Sequence, residues 1–363
     1  MAKRVGADKW IFFTALLLTA AGLVMVFSAS AVVAQERFHS PYTLVAKQAG
    51  FALAGVLAMV GLMRVDYRLY NSPRFIYPAL CATTLLLAMV FFFPGIYGAH
   101  RWIRLGRFDF EPSEVAKPVL VLFLAWFLHT RLDRMREFKN TILRASIMPV
   151  LLMILVVRQP DLGTALVLAA VTALMLVFAG MEWKYLLGAI GVALPFLAAL
   201  LLLVPFRRER LLVFLNPLSD PMGAGYHITQ SLIAVGTGGL TGRGYMEGMQ
   251  KLFYLPESAT DFIFANIAEE LGLIGSMLIV VLFVVLGVRG MRAAFRSQDA
   301  FGRLAAFGIT TTILLQAFFN ISVVLSLVPA KGIPLPLISY GGTSVFCTLA
   351  SIGILLNITR RAD

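Results

Sequence analysis

Residues 10–33 read WIFFTALLLTAAGLVMVFSASAVV, a run without a single charged side chain. Crossing a bilayer as a helix takes roughly 20 predominantly apolar residues, and this run supplies them. Lys3, Arg4 and Lys9 precede it, and Ser28-Ala29-Ser30 resembles a signal-peptide cleavage site. The apolar core, however, outlasts the roughly 7–15 residues of a secretory h-region, so an uncleaved anchor is expected. Working outward, nine more apolar stretches follow at 44–63, 75–93, 114–130, 142–157, 164–181, 184–205, 262–287, 304–327 and 344–358. The expected fold is an all-α integral membrane protein, with ten transmembrane helices in one polytopic domain over 1–363.

Composition agrees with this reading. Of 363 residues, 59% are hydrophobic and 14% charged, and the mean hydropathy is +0.85. Soluble domains carry about 25% charged residues, so this chain could not cover a water-exposed surface. A cytosolic globule, a disordered chain and a nucleic-acid binder are excluded, despite the net charge of +12. Cys81 and Cys347 lie in apolar runs, and His39, His100, His129 and His227 are dispersed, so no metal-ligand spacing arises.

Basic residues give the orientation. With both termini cytoplasmic, the inner loops hold 18 of the 31 Lys and Arg. Two groups fall outside: Arg101, Arg104 and Arg107 after span three, and Arg207, Arg208, Arg210, Arg243 and Lys251 after span seven. Outward arginines oppose the positive-inside bias. They suit either anionic lipid headgroups or a phosphorylated substrate gripped by guanidinium forks.

One outer loop is long, from about 206 to 261 between spans seven and eight, and long loops in compact proteins are usually functional. Its pattern predicts a short interfacial helix over 227–235, a glycine-rich turn, and an extended piece through Phe253-Tyr254-Leu255-Pro256. The stretch PAKGIPLPLISYGGTS (329–344) has three prolines in eight residues, which forbids a regular helix. It reads as a re-entrant or surface-packed loop, or as a tight turn capping span ten.

Ionisable residues inside a span cost about 2.5–3.5 kcal/mol on insertion scales and are functional candidates by default. Glu114 and Lys117 share a helix face and can pair. Glu269 and Glu270 follow Asp261 by eight and nine residues. Neighbours diverge in direction on a helix, so at most one is expected to face a given cavity. Asp161 either caps span six or belongs to a site. Asp261 is either the N-cap of span eight or a carboxylate at the outer surface, where a general base would stand.

Together these segments resemble the SEDS family (shape, elongation, division and sporulation), the FtsW/RodA group of bacterial cell-wall proteins. The resemblance covers nearly the whole chain. It rests on MVFSAS (25–30), RWIRLG (101–106), PSE (112–114) with Lys117, and QPDLGT (159–164). Gln230-Ser231 with Gly238-Gly239, LPE (255–257) with TDFIF (260–264), EELG (269–272) and SYGG (339–342), which contains Ser339, complete it. It implies a peptidoglycan glycosyltransferase of the bacterial cytoplasmic (inner) membrane. Such proteins polymerise lipid II, a disaccharide-pentapeptide on undecaprenyl diphosphate, at the outer face. The implied partners are a class B penicillin-binding protein, other division or elongation proteins, and membrane lipids, with no nucleic acid. Asp261 matches the family's essential carboxylate. Ala259 departs from the pattern, which usually has His there. Branch features are mixed, with division favoured over elongation.

The chemistry so implied is formation of a β-1,4 link with inversion at the donor carbon. Asp261 would be the base, while Arg101, Arg104 and Arg243, with Lys251, would hold the diphosphate. Glu114 and Lys117 would line the cavity, with Glu269 or Glu270 completing its wall, and Asp161 and Ser339 would also bind the substrate. A divalent cation, Mg or Mn, could share the diphosphate, but the sequence fixes no ligands for it. Two alternatives stand beside this reading. One is a lipid II flippase or proton-coupled carrier using Glu114, Lys117, Glu269 and Glu270. The other is a scaffold for the transpeptidase, contacting it through the small residues Ala265, Ala268, Gly272 and Gly275.

Overall fold

The computed structural model describes residues 6–95, 99–105, 108–203, 208, 214, 223, 225–329 and 332–361. Lys3, Arg4, Arg107, Arg207, Arg210 and part of the long loop lie outside the described residues. The chain is a bundle of helices with one small hairpin. Helices α1 (Lys9–Phe38), α2 (Thr43–Leu62) and α3 (Pro73–Met89) come first. Strands β1 (Ile103–Leu105) and β2 (Phe108–Phe110) then pair antiparallel, with Arg104 opposite Asp109. Helices α4 (Pro112–His129), α5 (Leu143–Arg158), α6 (Leu162–Phe178) and α7 (Trp183–Leu202) follow. The short α8 (Tyr226–Gly238) precedes α9 (Ile263–Arg296), α10 (Ala300–Val324) and α11 (Gly342–Thr359).

A helix therefore occupies each of the ten apolar stretches. Seven of them, α1, α2, α3, α5, α9, α10 and α11, are long and apolar enough to cross a membrane. α6 and α7 are apolar but have shorter qualifying segments, and α4 carries Glu114 and Lys117. Local chemistry sets the boundaries. The carboxylates of Asp8, Asp161 and Asp299 accept backbone N–H groups in the first turns of α1, α6 and α10. Pro73 and Pro112 open α3 and α4, where a missing N–H costs nothing.

Packing brings α2 against α11, α9 against α1 and α10, and α4 against α3 and α10. At one end of the bundle Arg289 pairs with Asp8 at 2.6 Å, and Asn357 bonds both Tyr67 N and the Met63 carbonyl. The opposite end carries the hairpin, the starts of α4, α6, α9 and α11, and the irregular segments described below.

Two features differ from the sequence expectation. The glycine-rich turn is followed by a succession of turns rather than an extended piece, with Met246, Phe253 and Glu257 all at positive φ. Helix α9 is also broken within its length: Gly272 sits at φ 65°, ψ −163°. The break frees backbone groups that lipid could not satisfy, and the loop after α8 takes them up. Arg243 N and Gly244 N donate to the Glu269 and Glu270 carbonyls at 3.0 and 3.1 Å, while Leu273 N and Ile274 N donate to the Gly239 and Leu240 carbonyls at 2.9 and 3.1 Å. Gly242 lies against this break, so neither glycine has room for a Cβ.

Candidate functional site

The site forms where two irregular segments, 251–262 and 332–341, meet between helix ends. The second is neither a surface turn nor a simple cap. Ile333, Leu335, Leu337, Ile338 and Ser339 are all buried, so a proline-broken stretch runs through the interior and needs protein partners for its backbone. They are supplied. Ser339 Oγ donates to the Thr260 carbonyl at 2.6 Å and accepts Leu335 N at 2.7 Å. Tyr340 N donates to the Ala259 carbonyl at 2.8 Å, and Gln48 of α2 brackets the segment through the Ser339 carbonyl and Gly341 N. The Ser339 hydroxyl thus joins the two segments.

Asp261 stands at this junction. Helix α9 begins at Ile263 with Phe262 as its N-cap, so Asp261 stands one residue ahead of the capping position. Its carboxylate lies over Gly332, where an added Cβ would fall 2.6 Å from Oδ2. Only glycine allows that approach.

Asp161 performs the capping role that the sequence offered it, and it also forms an ion pair. It caps α6 through Thr164 N at 3.1 Å and pairs with Arg101 at 3.9 Å. Arg101 also donates to the Gln159 carbonyl at 3.4 Å and to that of Pro160. Gly163 packs on the Gly332 carbonyl and Ile333, which brings this cluster to the same segment that faces Asp261. Glu111, just ahead of α4, has its carboxyl pushed up to about 8, first by burial and then by the charges of Glu114 and Asp161. Arg104 pairs across the hairpin with Asp109 at 3.5 Å, and both are half-exposed.

Below, Lys117 Nζ bonds Glu114 at 2.7 Å and Gln316 Oε1 at 3.0 Å, all three side chains being buried. They line a small, partly open cleft between α4, α10 and α11, with Ile309, Cys347 and Ser351 among its walls.

The remaining candidates are placed differently from expectation. Both Glu269 and Glu270 serve the glycine-rich loop, although one was expected to face away. Glu269 accepts Met249 N at 2.9 Å and Gln250 N at 3.2 Å and pairs with the partly exposed Arg243 at 3.5 Å. Glu270 accepts Met246 N at 3.0 Å, Ser28 Oγ at 2.7 Å and Lys251 Nζ at 2.6 Å. The loop folds back over both carboxylates because the break at Gly272 lets it cross the helix there. Lys251 is buried, and its ammonium is committed to Glu270 and Ser28. Through those two bonds it braces the loop against α1 and α9. The small residues Ala268 and Gly272 are covered by this chain's own α8 and glycine-rich loop, not left open for a partner helix. Asn320, Gln316 and Gln48 were not singled out from the sequence, because a lone amide in an apolar run gives no signal of its partner. Among the described residues, no group of three or more His, Cys, Asp or Glu side chains could hold a metal ion.

A multi-helix, apolar bundle carrying a carboxylate and an arginine–carboxylate pair at one end defines a class of membrane-embedded enzyme. Over residues 8–363 the chain matches the family of cell cycle proteins that groups FtsW, RodA and SpoVE, and it belongs to that family. A relative from Geobacter metallireducens, described as a probable peptidoglycan glycosyltransferase FtsW, is 43% identical over 98% of this chain and 95% of its own. Among solved structures, a chain from a study of polymerization and crosslinking by a peptidoglycan synthase complex superposes with a TM-score of 0.81, at 29% identity over 99% of each chain. The rod shape determining protein RodA of Thermus thermophilus gives a TM-score of 0.71 at 27% identity, over 98% of this chain and 97% of its own.

Proposed function

We propose that this chain is a peptidoglycan glycosyltransferase that polymerises lipid II at the outer face of the bacterial cytoplasmic membrane. The observation that carries the reading is the Asp261 carboxylate, seated over Gly332 at the junction of two interior loops and just ahead of α9. The names of the relatives support the activity. The chain would span the membrane ten times with both termini inside, placing the Asp261 end outside.

In the proposed reaction the Asp261 carboxylate takes the proton of the acceptor's 4-hydroxyl. The freed oxygen bonds to the donor's anomeric carbon from the face opposite the diphosphate. The carbon–oxygen bond to the diphosphate breaks, and undecaprenyl diphosphate leaves with its electron pair, so α becomes β. Arg101, Arg104 and Arg243 would stabilise the departing charge by exchanging a carboxylate partner for the diphosphate. The cleft beneath, with Glu114 and Lys117, would receive part of the lipid-linked substrate. A divalent cation, Mg or Mn, would share the charge of the diphosphate, and no step is routed through it. The backbone N–H bonds that fix Glu269 and Glu270 argue against a mobile proton relay and hence against the carrier reading. The proposed partner is a class B penicillin-binding protein, and the likeness to a chain from a study of polymerization and crosslinking by a peptidoglycan synthase complex supports a crosslinking partner.

The test uses purified chain with labelled lipid II, with and without that partner, and reads a polymer ladder on a gel. Wild type should give a ladder and Asp261→Asn none, with both equally folded. A full ladder from Asp261→Asn would refute the assignment of the base.

A further inference from the structure

Asn320 sits fully buried on α10, and its side-chain nitrogen makes two hydrogen bonds. It donates to the Asp261 carbonyl at 2.8 Å and to the Ile333 carbonyl at 2.7 Å. The first partner is the backbone of the proposed base. The second adjoins Gly332, the floor beneath that base's carboxylate. One amide group therefore spans the two parts whose relative position decides where the carboxylate points. We propose that Asn320 is a positioning residue for Asp261, an inference that rests on the glycosyltransferase reading above.

The chemistry of the side chain fits this task. Only a primary amide or a cation brings two N–H donors to one atom without a hydroxyl's freedom of rotation, and an amide does so without a buried charge. Asp261 lies ahead of the first residue of α9, so the helix does not fix it. One turn earlier on the same face of α10, Gln316 donates to the Pro334 carbonyl at 3.4 Å and accepts from Lys117. Successive amides of α10 thus read successive carbonyls of the proline-broken segment, with Asn320 at the end of the ladder beside the base.

A merely structural Asn320 would satisfy two buried carbonyls and nothing more. The two roles separate kinetically. Misplacing a reacting group by about 1 Å can cost about 10²-fold in rate, while binding of substrate through other contacts survives. Asn320→Ala should therefore lower kcat between about 10- and 100-fold, with KM for lipid II within about threefold of wild type. The control is Asn357→Ala. Asn357 is also a buried asparagine, on α11 at the opposite end, and it too makes two backbone hydrogen bonds. It should lower the unfolding temperature comparably and keep kcat per folded molecule. Asn320→Gln retains both donors on a stem one methylene longer, and it gives the same split should the alanine variant not fold.

Wild-type kcat in Asn320→Ala or Asn320→Gln would overturn the proposal, as would an equal loss in Asn357→Ala. A wild-type chain that makes no polymer with its partner present would refute the glycosyltransferase reading itself, and the positioning role with it.

Discussion

Lys251 and Glu270 form a buried ion pair at 2.6 Å, with Ser28 of α1 bonded to both and Met246 N donating to the carboxylate. Removing one partner of such a pair leaves a buried charge without compensation and costs about 3–5 kcal/mol, whereas replacing both by neutral groups of similar volume is often neutral. Glu270→Gln should therefore weaken docking of the loop over α9 by that amount, which is roughly two to three and a half powers of ten in the docked population. Lys251→Met should cost less, because Ser28 and Met246 N still satisfy the carboxylate. The double variant should recover most of the loss. Hydrogen–deuterium exchange reads this directly, since the amides of Arg243, Gly244, Met246, Met249 and Gln250 are all held by Glu269 or Glu270. The expected order of exchange at these amides is Glu270→Gln fastest and the double variant close to wild type. Unchanged protection in Glu270→Gln, or a double variant as fast as the single one, would refute the claim that this pair anchors the loop.

Gly272→Ala should prevent the loop from seating, because its φ is positive and a Cβ would strike the backbone of Leu240 and Gly242; the measurement is yield of folded protein, expected to fall sharply. Lys117→Met leaves Glu114 buried beside Gln316 without its cation, so a loss of about 3–5 kcal/mol in unfolding free energy is expected, relieved by adding Glu114→Gln. The Tyr67 hydroxyl, which donates to Asp299, is pushed up to about 12 by burial first and by Asp299 second. Unfolded tyrosine loses its proton near 10, so across that window the folded state binds more protons and stability falls as pH rises, by up to about 3 kcal/mol. Tyr67→Phe should keep the stacking on Phe301 and abolish that slope in thermal melts taken from pH 9 to 12.

The bundle was legible because apolar runs, Asp caps and N-terminal prolines are local signals. Asp161 illustrates this: its carboxylate and the Thr164 N–H that it accepts lie only three residues apart. Non-local features were not legible. Glu269-Glu270-Leu271-Gly272 reads as continuous helix, and only the loop crossing at Gly242 explains why the helix breaks. Lys251 looks like a surface cation in sequence, yet its partner Ser28 is 223 residues away, in a span whose Ser28-Ala29-Ser30 reads as a cleavage site. The hairpin escaped notice because its strands are three residues each, too short for an alternating pattern. Asp261 itself was found through resemblance and its position before Phe262-Ile263-Phe264, while the groups that hold it were invisible.

Those hidden groups share a chemical reason. A helix consumes its own backbone hydrogen bonds, so a reactive carboxylate carried on one is placed by packing alone. Here the carboxylate rides on irregular chain instead, and irregular chain in an apolar interior must borrow donors and acceptors from side chains. The lenders are uncharged amides and one hydroxyl: Gln48, Asn266, Gln316, Asn320 and Ser339, with Asn266 holding the Ser258 carbonyl at 2.9 Å. Each reaches from a regular helix, or from the other loop, to a backbone carbonyl or N–H of the two irregular segments. The position of Asp261 is thereby tied to the relative placement of α2, α9 and α10. A shift of any of those three helices would be passed to Asp261, the proposed base, through bonds already in place.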